Sequence, residues 1–230
     1  MATIADNLQA IKQRIERAAR AAGREPAAVS LLAVSKTHPL SRVEDAAAAG
    51  QRAFGENYVQ EALAKIAALP DMEWHLIGPL QSNKTRLAAE HFAWIHTVAS
   101  EKIARRLSEQ RPAALAPLNV LIQVNVAGEE TKAGIAPEEV ASLARALKPL
   151  ERLRLRGLMA IAEPTPDAAR QRAAFHAVRK LFDSVKVEFG FDTLSMGMSD
   201  DLESAIAEGA TMVRIGTAIF GARTKERSAV

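Results

Sequence analysis

The sequence predicts an α/β fold: a single closed (β/α)8 barrel of the TIM type with an extra N-terminal helix, one domain over residues 1–230. Three observations carry that expectation. Eight short apolar runs recur along the chain, helical patterns fall between them, and several of those patterns stop at glycine or proline just before the next run. Strand–helix alternation of this kind implies a parallel sheet covered by helices, and eight strands close it into a barrel. An open doubly wound sheet is the alternative, but no strand leads into a GxGxxG turn.

Ile4, Leu8, Ile11, Ile15 and Ala18 recur at helical spacing and mark the extra amphipathic helix. Thr3 and Asp6 make a capping-box pair at its start, and Gly23 is its stop. The first strand covers 31–35, a continuous apolar run of the kind buried on both faces of a parallel sheet. A helix over 41–49 ends at Gly50 before the second strand, 52–55. A helix over 59–68 ends before Pro70 and gives way to the third strand, 74–77. Helices over 85–90, 101–109 and 137–147 precede strands over 94–98, 120–126 and 156–161 respectively. A long helix over 166–188 leads to the seventh strand, 193–196. A short helix over 202–207 stops at Gly209 ahead of the eighth strand, 212–215.

Composition narrows the function classes. Hydrophobic residues make up 48% and charged residues 25%, enough apolar material for a full core. Lys plus Arg total 30 against 27 Asp plus Glu, and this net +3 is scattered rather than striped, which argues against a nucleic-acid partner. The absence of cysteine excludes disulfides, thiolate metal sites and cysteine nucleophiles. No apolar signal core opens the chain and no run is long enough to span a bilayer, so the expectation is a cytoplasmic protein with no membrane partner. A monomer is the expected state, although the sequence does not fix it.

In a barrel the polar residues that follow the strands converge on one face. Those positions hold Lys36, then Glu56 and Asn57, Gln81 and Asn83, Asn125, Ser199, and Gly216 with Thr217, while Arg214 lies within the last strand. A partly desolvated lysine at a strand end loses proton affinity and can attack a carbonyl to form a Schiff base. Gly216 lets backbone approach a ligand closely, and with Thr217 it can open a short helix that receives an anion. Ser199 offers a hydroxyl from the neighbouring loop, although Ser-Asp-Asp-Leu-Glu also reads as a helix N-cap. A lysine opposite a phosphate cup describes a pyridoxal 5'-phosphate site. Arg214, on the strand that feeds the cup, would face the pyridine nitrogen and keep it unprotonated, making the ring a weaker electron sink. His75 reads as a hydrogen-bonded core residue. His38 and His96 lie near strand ends, but no HxH or HExxH spacing supports a metal site. Lys132, on a glycine-flanked loop, is either solvated or a secondary, reversible contact for the cofactor.

Several runs together resemble the pyridoxal phosphate homeostasis protein family: Ala33-Val34-Ser35-Lys36, Phe54-Gly55-Glu56-Asn57-Tyr58, Trp74-His75-Leu76-Ile77-Gly78-Pro79, Gly157-Leu158-Met159-Ala160, Met196-Gly197-Met198-Ser199-Asp200-Asp201 and Arg214-Ile215-Gly216-Thr217. The resemblance spans nearly the whole chain. It implies a barrel similar to the N-terminal domain of alanine racemase, with the cofactor held as an imine on Lys36. It also implies contacts to the cofactor from Asn57, Ser199, Arg214, Gly216 and Thr217. Many members carry a lysine or another polar residue where this chain has His38, which removes any role for a second lysine there.

Three functions compete. One is a non-catalytic carrier that holds pyridoxal phosphate and balances its supply to dependent apo-enzymes. The second is an amino-acid racemase, and the third a binding module without cofactor. A racemase of this barrel type needs a second base, a tyrosine, from a second domain. Here the sole tyrosine is Tyr58, on the barrel itself, and no second domain is expected after Val230. The carrier is the expected function.

Overall fold

The structure, a computed structural model, describes residues 2–126 and 133–221. Eight parallel strands close into a barrel in sequence order: β1 (Ser30–Val34), β2 (Ala53–Glu56), β3 (Glu73–Leu76), β4 (Trp94–Val98), β5 (Leu118–Val124), β6 (Leu153–Ala160), β7 (Thr193–Ser195) and β8 (Met212–Ile215). β1 pairs with β2 on one side and with β8 on the other, and the second pairing sets Leu32 beside Arg214 and Ala33 beside Ile215. Strand boundaries differ most from the sequence expectation at β6, which begins three residues early. There Leu153 and Leu155 alternate with Arg154 and Arg156, so one face packs while the other meets solvent.

The helices are α1 (Ile4–Ala21), α2 (Leu40–Ala48), α3 (Val59–Ala68), α4 (Thr85–His91), α5 (Glu101–Gln110), α6 (Val140–Leu147), α7 (Ala168–Phe189), α8 (Leu202–Ala207) and α9 (Thr217–Phe220). The expected start of α6 at Pro137 is instead a 3₁₀ turn, Pro137–Glu139, because proline and two glutamates make a good first turn but a poor apolar face. α7 starts at Ala168 because the Asp167 carboxylate accepts the amides of Ala169 and Arg170.

α1 carries the capping box read from sequence: Asp6 N–H donates to Thr3 Oγ1 at 3.1 Å and Thr3 N–H to Asp6 Oδ2 at 2.9 Å. Its buried stripe is Ile4, Leu8, Ile11, Ile15 and Ala19, with Ala18 at the stripe's edge rather than its centre. Burial of each larger aliphatic stabilises the docking by roughly 1.5–3 kcal/mol. The helix also ties down the chain's last elements. Asn7 Nδ2 donates to Ile219 O of α9 at 2.9 Å, and Arg14 bridges to Glu203 of α8. No helix among the described residues is long and apolar enough to cross a membrane.

The barrel lumen departs from the usual fill of branched aliphatics. Beside Trp94, Leu121 and Met159 it buries His75, His96, Ser195 and Arg214. Burial holds both imidazoles neutral, below the ordinary histidine value of 6.5. In the unfolded chain both protonate below about pH 6.5, so the unfolded state binds more protons there. Stability is therefore intact above that pH and falls as pH drops through it. We expect the urea midpoint to fall between about pH 7.5 and about pH 5.5, and to fall less in His96→Gln. Equal falls in both proteins would contradict the assignment.

Candidate functional site

β1 delivers Lys36 to the barrel mouth on a turn that is pinned on both sides. Ser35, fully buried, takes the Gly55 carbonyl with its N–H at 3.0 Å and donates its hydroxyl to Glu56 Oε1 at 2.6 Å. Thr37, on the other side, has φ 64° and donates its N–H to Glu61 Oε1 at 2.6 Å. Positive φ at a β-branched residue is a strained conformation that its surroundings must hold in place.

Lys65 supplies that hold. Its ammonium donates to Ser35 O at 2.9 Å, Glu56 Oε1 at 2.8 Å and Glu61 Oε1 at 3.1 Å. Glu56 and Lys65 are both buried, and Glu56 Oε2 has no hydrogen-bond partner among the described residues. Burial pushes the Glu56 carboxyl up, against the opposing pull of Lys65. Glu56, expected among the polar residues of the mouth, thus lies beneath it. The strand puts Glu56 and Asn57 on opposite sides, and only Asn57 reaches the cavity.

That cavity, about 550 Å³, is where the expected residues meet. Lys36, Asn57, Ser199, Arg214, Gly216 and Thr217 all line it, together with the apolar Val34, Ile77, Ile161 and Met198. Lys36 is half-buried. Arg214 is 5% exposed, and burial pushes its guanidinium down to about 10, which leaves it charged at neutral pH. Its Nη1 donates to Ser195 Oγ at 2.8 Å and its Nη2 to Ala160 O at 2.9 Å. Gly216 joins β8 to α9. A Cβ there would stand 3.2 Å from Val34 O, so a larger residue would press on β1. The first amides of α9, those of Thr217 and Ala218, have no acceptor within so short a helix. Gly78 performs a similar service beside Asn57, whose backbone carbonyl would collide with an added Cβ.

Other candidates fall elsewhere. Gln81, Asn83 and Asn125 are not among the cavity's lining residues. Ser199 is not the N-cap of α8; that position is Asp201, whose carboxylate accepts Met198 N–H. His38 stacks on Phe220 with ring centroids 5.1 Å apart. His96 lies in the lumen rather than at a strand end. Among the described residues no group of three or more His, Cys, Asp or Glu side chains could hold a metal ion. Tyr58 precedes α3 and is 59% exposed. Lys132 and Lys225 lie outside the described residues.

Three functional residues escaped sequence reasoning. Lys65 and Glu61 sit on an ordinary-looking helix, and only their spacing, one turn apart, hinted at a pair. Arg14 lies between two buried isoleucines of α1, yet it lines the cavity and donates to Ser199 O at 3.1 Å. Lys65→Ala leaves the buried Glu56 carboxylate without its cation and should destabilise the protein by about 3–5 kcal/mol in urea unfolding. A loss below about 1 kcal/mol would show that the cluster does not brace the Lys36 turn.

The sequence matches the family model described as "Alanine racemase, N-terminal domain" over residues 7–224. A protein of Pseudomonas aeruginosa named "Pyridoxal phosphate homeostasis protein" is 63% identical over 225 residues, covering 97% of each chain. A protein of the same name from Escherichia coli is 54% identical over 229 residues, covering 97% of this chain and 98% of that one. Among solved structures, PipY of Synechococcus elongatus with PLP bound superposes with TM-score 0.80 at 39% identity, over 95% of this chain and 100% of PipY. Alanine racemase of Clostridium difficile shares the fold, with TM-score 0.71 at 15% identity, over 96% of this chain and 58% of the racemase.

Proposed function

The chain belongs to the pyridoxal phosphate homeostasis protein family, and from that premise we propose that it binds pyridoxal 5'-phosphate in the cavity at the barrel mouth and handles its supply. One observation carries this reading: Lys36 from the start of the barrel and Arg214, Gly216 and Thr217 from its end line the same cavity. The donor set suits that cofactor. An amine, a guanidinium, hydroxyls and helix amides match an anionic aldehyde, and Val34, Ile77, Ile161 and Met198 offer apolar surface to a flat ring.

The cofactor, when bound, supplies an aldehyde that condenses reversibly with primary amines and a ring that withdraws electrons. Lys36 Nζ would hold the aldehyde carbon. Gly216 and Thr217 would hold the phosphate through their amides and the Thr217 hydroxyl, with Ser199 beside them. Arg214 would donate to the ring nitrogen and, remaining charged, would not hand over its proton. Asn57 would bound the ring from the β2 side.

A carrier suits this mouth better than a catalyst. Ile161, on the cavity's lining, is 47% exposed, and Thr217 is exposed too, so water reaches the site. Tyr58, exposed at the start of α3, is not on the lining. We therefore read the protein as a non-catalytic single-domain barrel; a cytoplasmic monomer remains the expectation from its sequence. Its partners would be the cofactor and cofactor-dependent apo-enzymes, with no nucleic acid among them.

Thr217→Ala should weaken cofactor binding by about 1 kcal/mol or more, as for a lost hydrogen bond to a charged group. Pyridoxal without its phosphate should bind the unsubstituted protein poorly; equal affinity for the two forms, measured by equilibrium dialysis, would remove the phosphate cup.

The loaded protein should restore activity to an apo-enzyme acceptor and leave D- and L-alanine unchanged over long incubation. Robust racemisation abolished by Lys36→Ala would replace the carrier with the racemase.

A further inference from the structure

A line of polar side chains runs through the barrel from the cavity to the opposite mouth. Arg214 Nη1 donates to Ser195 Oγ at 2.8 Å. Ser195 Oγ lies 3.2 Å from His96 Nδ1, His96 Nε2 lies 2.9 Å from His75 Nδ1, and His75 Nε2 lies 2.8 Å from Glu73 Oε1. Ser195, His75 and His96 are fully buried. Glu73 is the first residue of β3 and its side chain is half-exposed, at a cavity lined also by Trp94, Arg156 and Asp192.

The chemistry of the two ends sets the direction of every bond between them. A guanidinium has donors and no acceptor, so Ser195 must accept from Arg214 and pass its own proton onward. His96 then accepts at Nδ1 and donates from Nε2. His75 does the same, and its Nε2–H ends on the Glu73 carboxylate. Each group in the line is satisfied with both imidazoles neutral and protonated on Nε2. All the intervening dipoles point their negative ends toward Arg214 and their positive ends toward Glu73. A cation at one end and an anion at the other are both stabilised, and hydrogen bonds in such a line strengthen one another.

We propose that Glu73, His75, His96 and Ser195 form a one-directional relay that positions the Arg214 guanidinium and holds it charged toward the ring nitrogen of the bound cofactor, an inference that rests on the cofactor reading above. They are positioning residues, since none of them lines the cavity. Both histidines are held neutral chiefly by burial, as the relay requires. The Glu73 carboxyl is held below its usual range by the His75 hydrogen bond first, with Arg156 adding to it. Asp201 is a second negative charge that favours charged Arg214. The His75 ring is clamped flat against Trp94, with centroids 5.2 Å apart and planes 7° apart, and the Arg156 guanidinium lies 4.8 Å over the same indole. The relay leaves other N–H groups of the Arg214 fork for the cavity.

Two measurements test this. Nitrogen NMR of the cofactor-free protein, labelled at histidine, should show both rings neutral with the proton on Nε2, unchanged between about pH 6 and about pH 8. A charged ring, or a proton on Nδ1 of either, overturns the relay. In the loaded protein, His96→Leu should move the visible absorbance maximum and weaken retention roughly fivefold to tenfold. His96→Gln, which keeps one donor and one acceptor, should restore both. If His96→Leu fails to fold by circular dichroism, Ser195→Ala makes the same cut with a smaller change. A maximum and retention unaltered in the variant that breaks the line would show that it only satisfies buried polar groups. A protein whose unsubstituted form develops no visible band overturns the cofactor reading, and with it the relay's role toward the ring. A wrong tautomer overturns the relay and leaves the cofactor reading intact.

Discussion

The site depends on the pairing of the first strand with the last. β1 and β8 come from nearly opposite ends of the described chain, and only their hydrogen-bonded register, Leu32 beside Arg214 and Ala33 beside Ile215, brings Lys36 to Gly216 and Thr217. Closure removes both sheet edges, so the register cannot drift without unpairing a strand. It also explains Gly216. With Val34 O just 3.2 Å from the place of a Cβ, a side chain after β8 would press on β1. α1 reinforces the closure from outside, by holding α8 and α9 through Arg14 and Asn7.

Two buried polar systems flank this seam, and each costs desolvation that an apolar core would not. On one side, Lys65, Glu56 and Glu61 grip the backbone around Lys36, so that a strained Thr37 presents the preceding amine to the cavity. On the other, the lumen histidines and Ser195 meet Arg214 from behind. Neither system lines the cavity. Placing charged and polar groups there instead of leucine gives up packing energy for orientation, which is what the proposed cofactor site would need, its key groups being one amine and one guanidinium.

Much of the fold was legible because each strand is a short apolar run and each helix has its own period and punctuation. Of the six expected residues on the cavity's lining, Lys36, Asn57, Ser199, Gly216 and Thr217 were legible for a topological reason: in a parallel barrel the residues that follow each strand arrive at the same mouth, and Arg214 was legible from the strand that leads to Gly216. Glu56 misled because it is the last residue of β2 rather than the first after it, so strand alternation turns its carboxylate under the mouth, where Lys65 meets it. Lys65 offered only its i,i+4 spacing from Glu61, since its helix, α3, otherwise looks like any amphipathic helix. His96 was read as close to a strand end, whereas it lies mid-strand in the lumen, within reach of His75 and Ser195. That contact joins three strands, and no local pattern in one of them encodes it. Arg14 was hidden in the same way, on a helix whose visible signal was its apolar stripe.

The cofactor reading proposed above turns on Lys36 as the residue that would hold the cofactor. Borohydride reduction of the loaded protein, followed by peptide mass mapping, tests it most directly. The account predicts the added cofactor mass on the peptide that contains Lys36, and its loss in Lys36→Ala. An adduct of unchanged stoichiometry in Lys36→Ala, carried by another lysine, would contradict it.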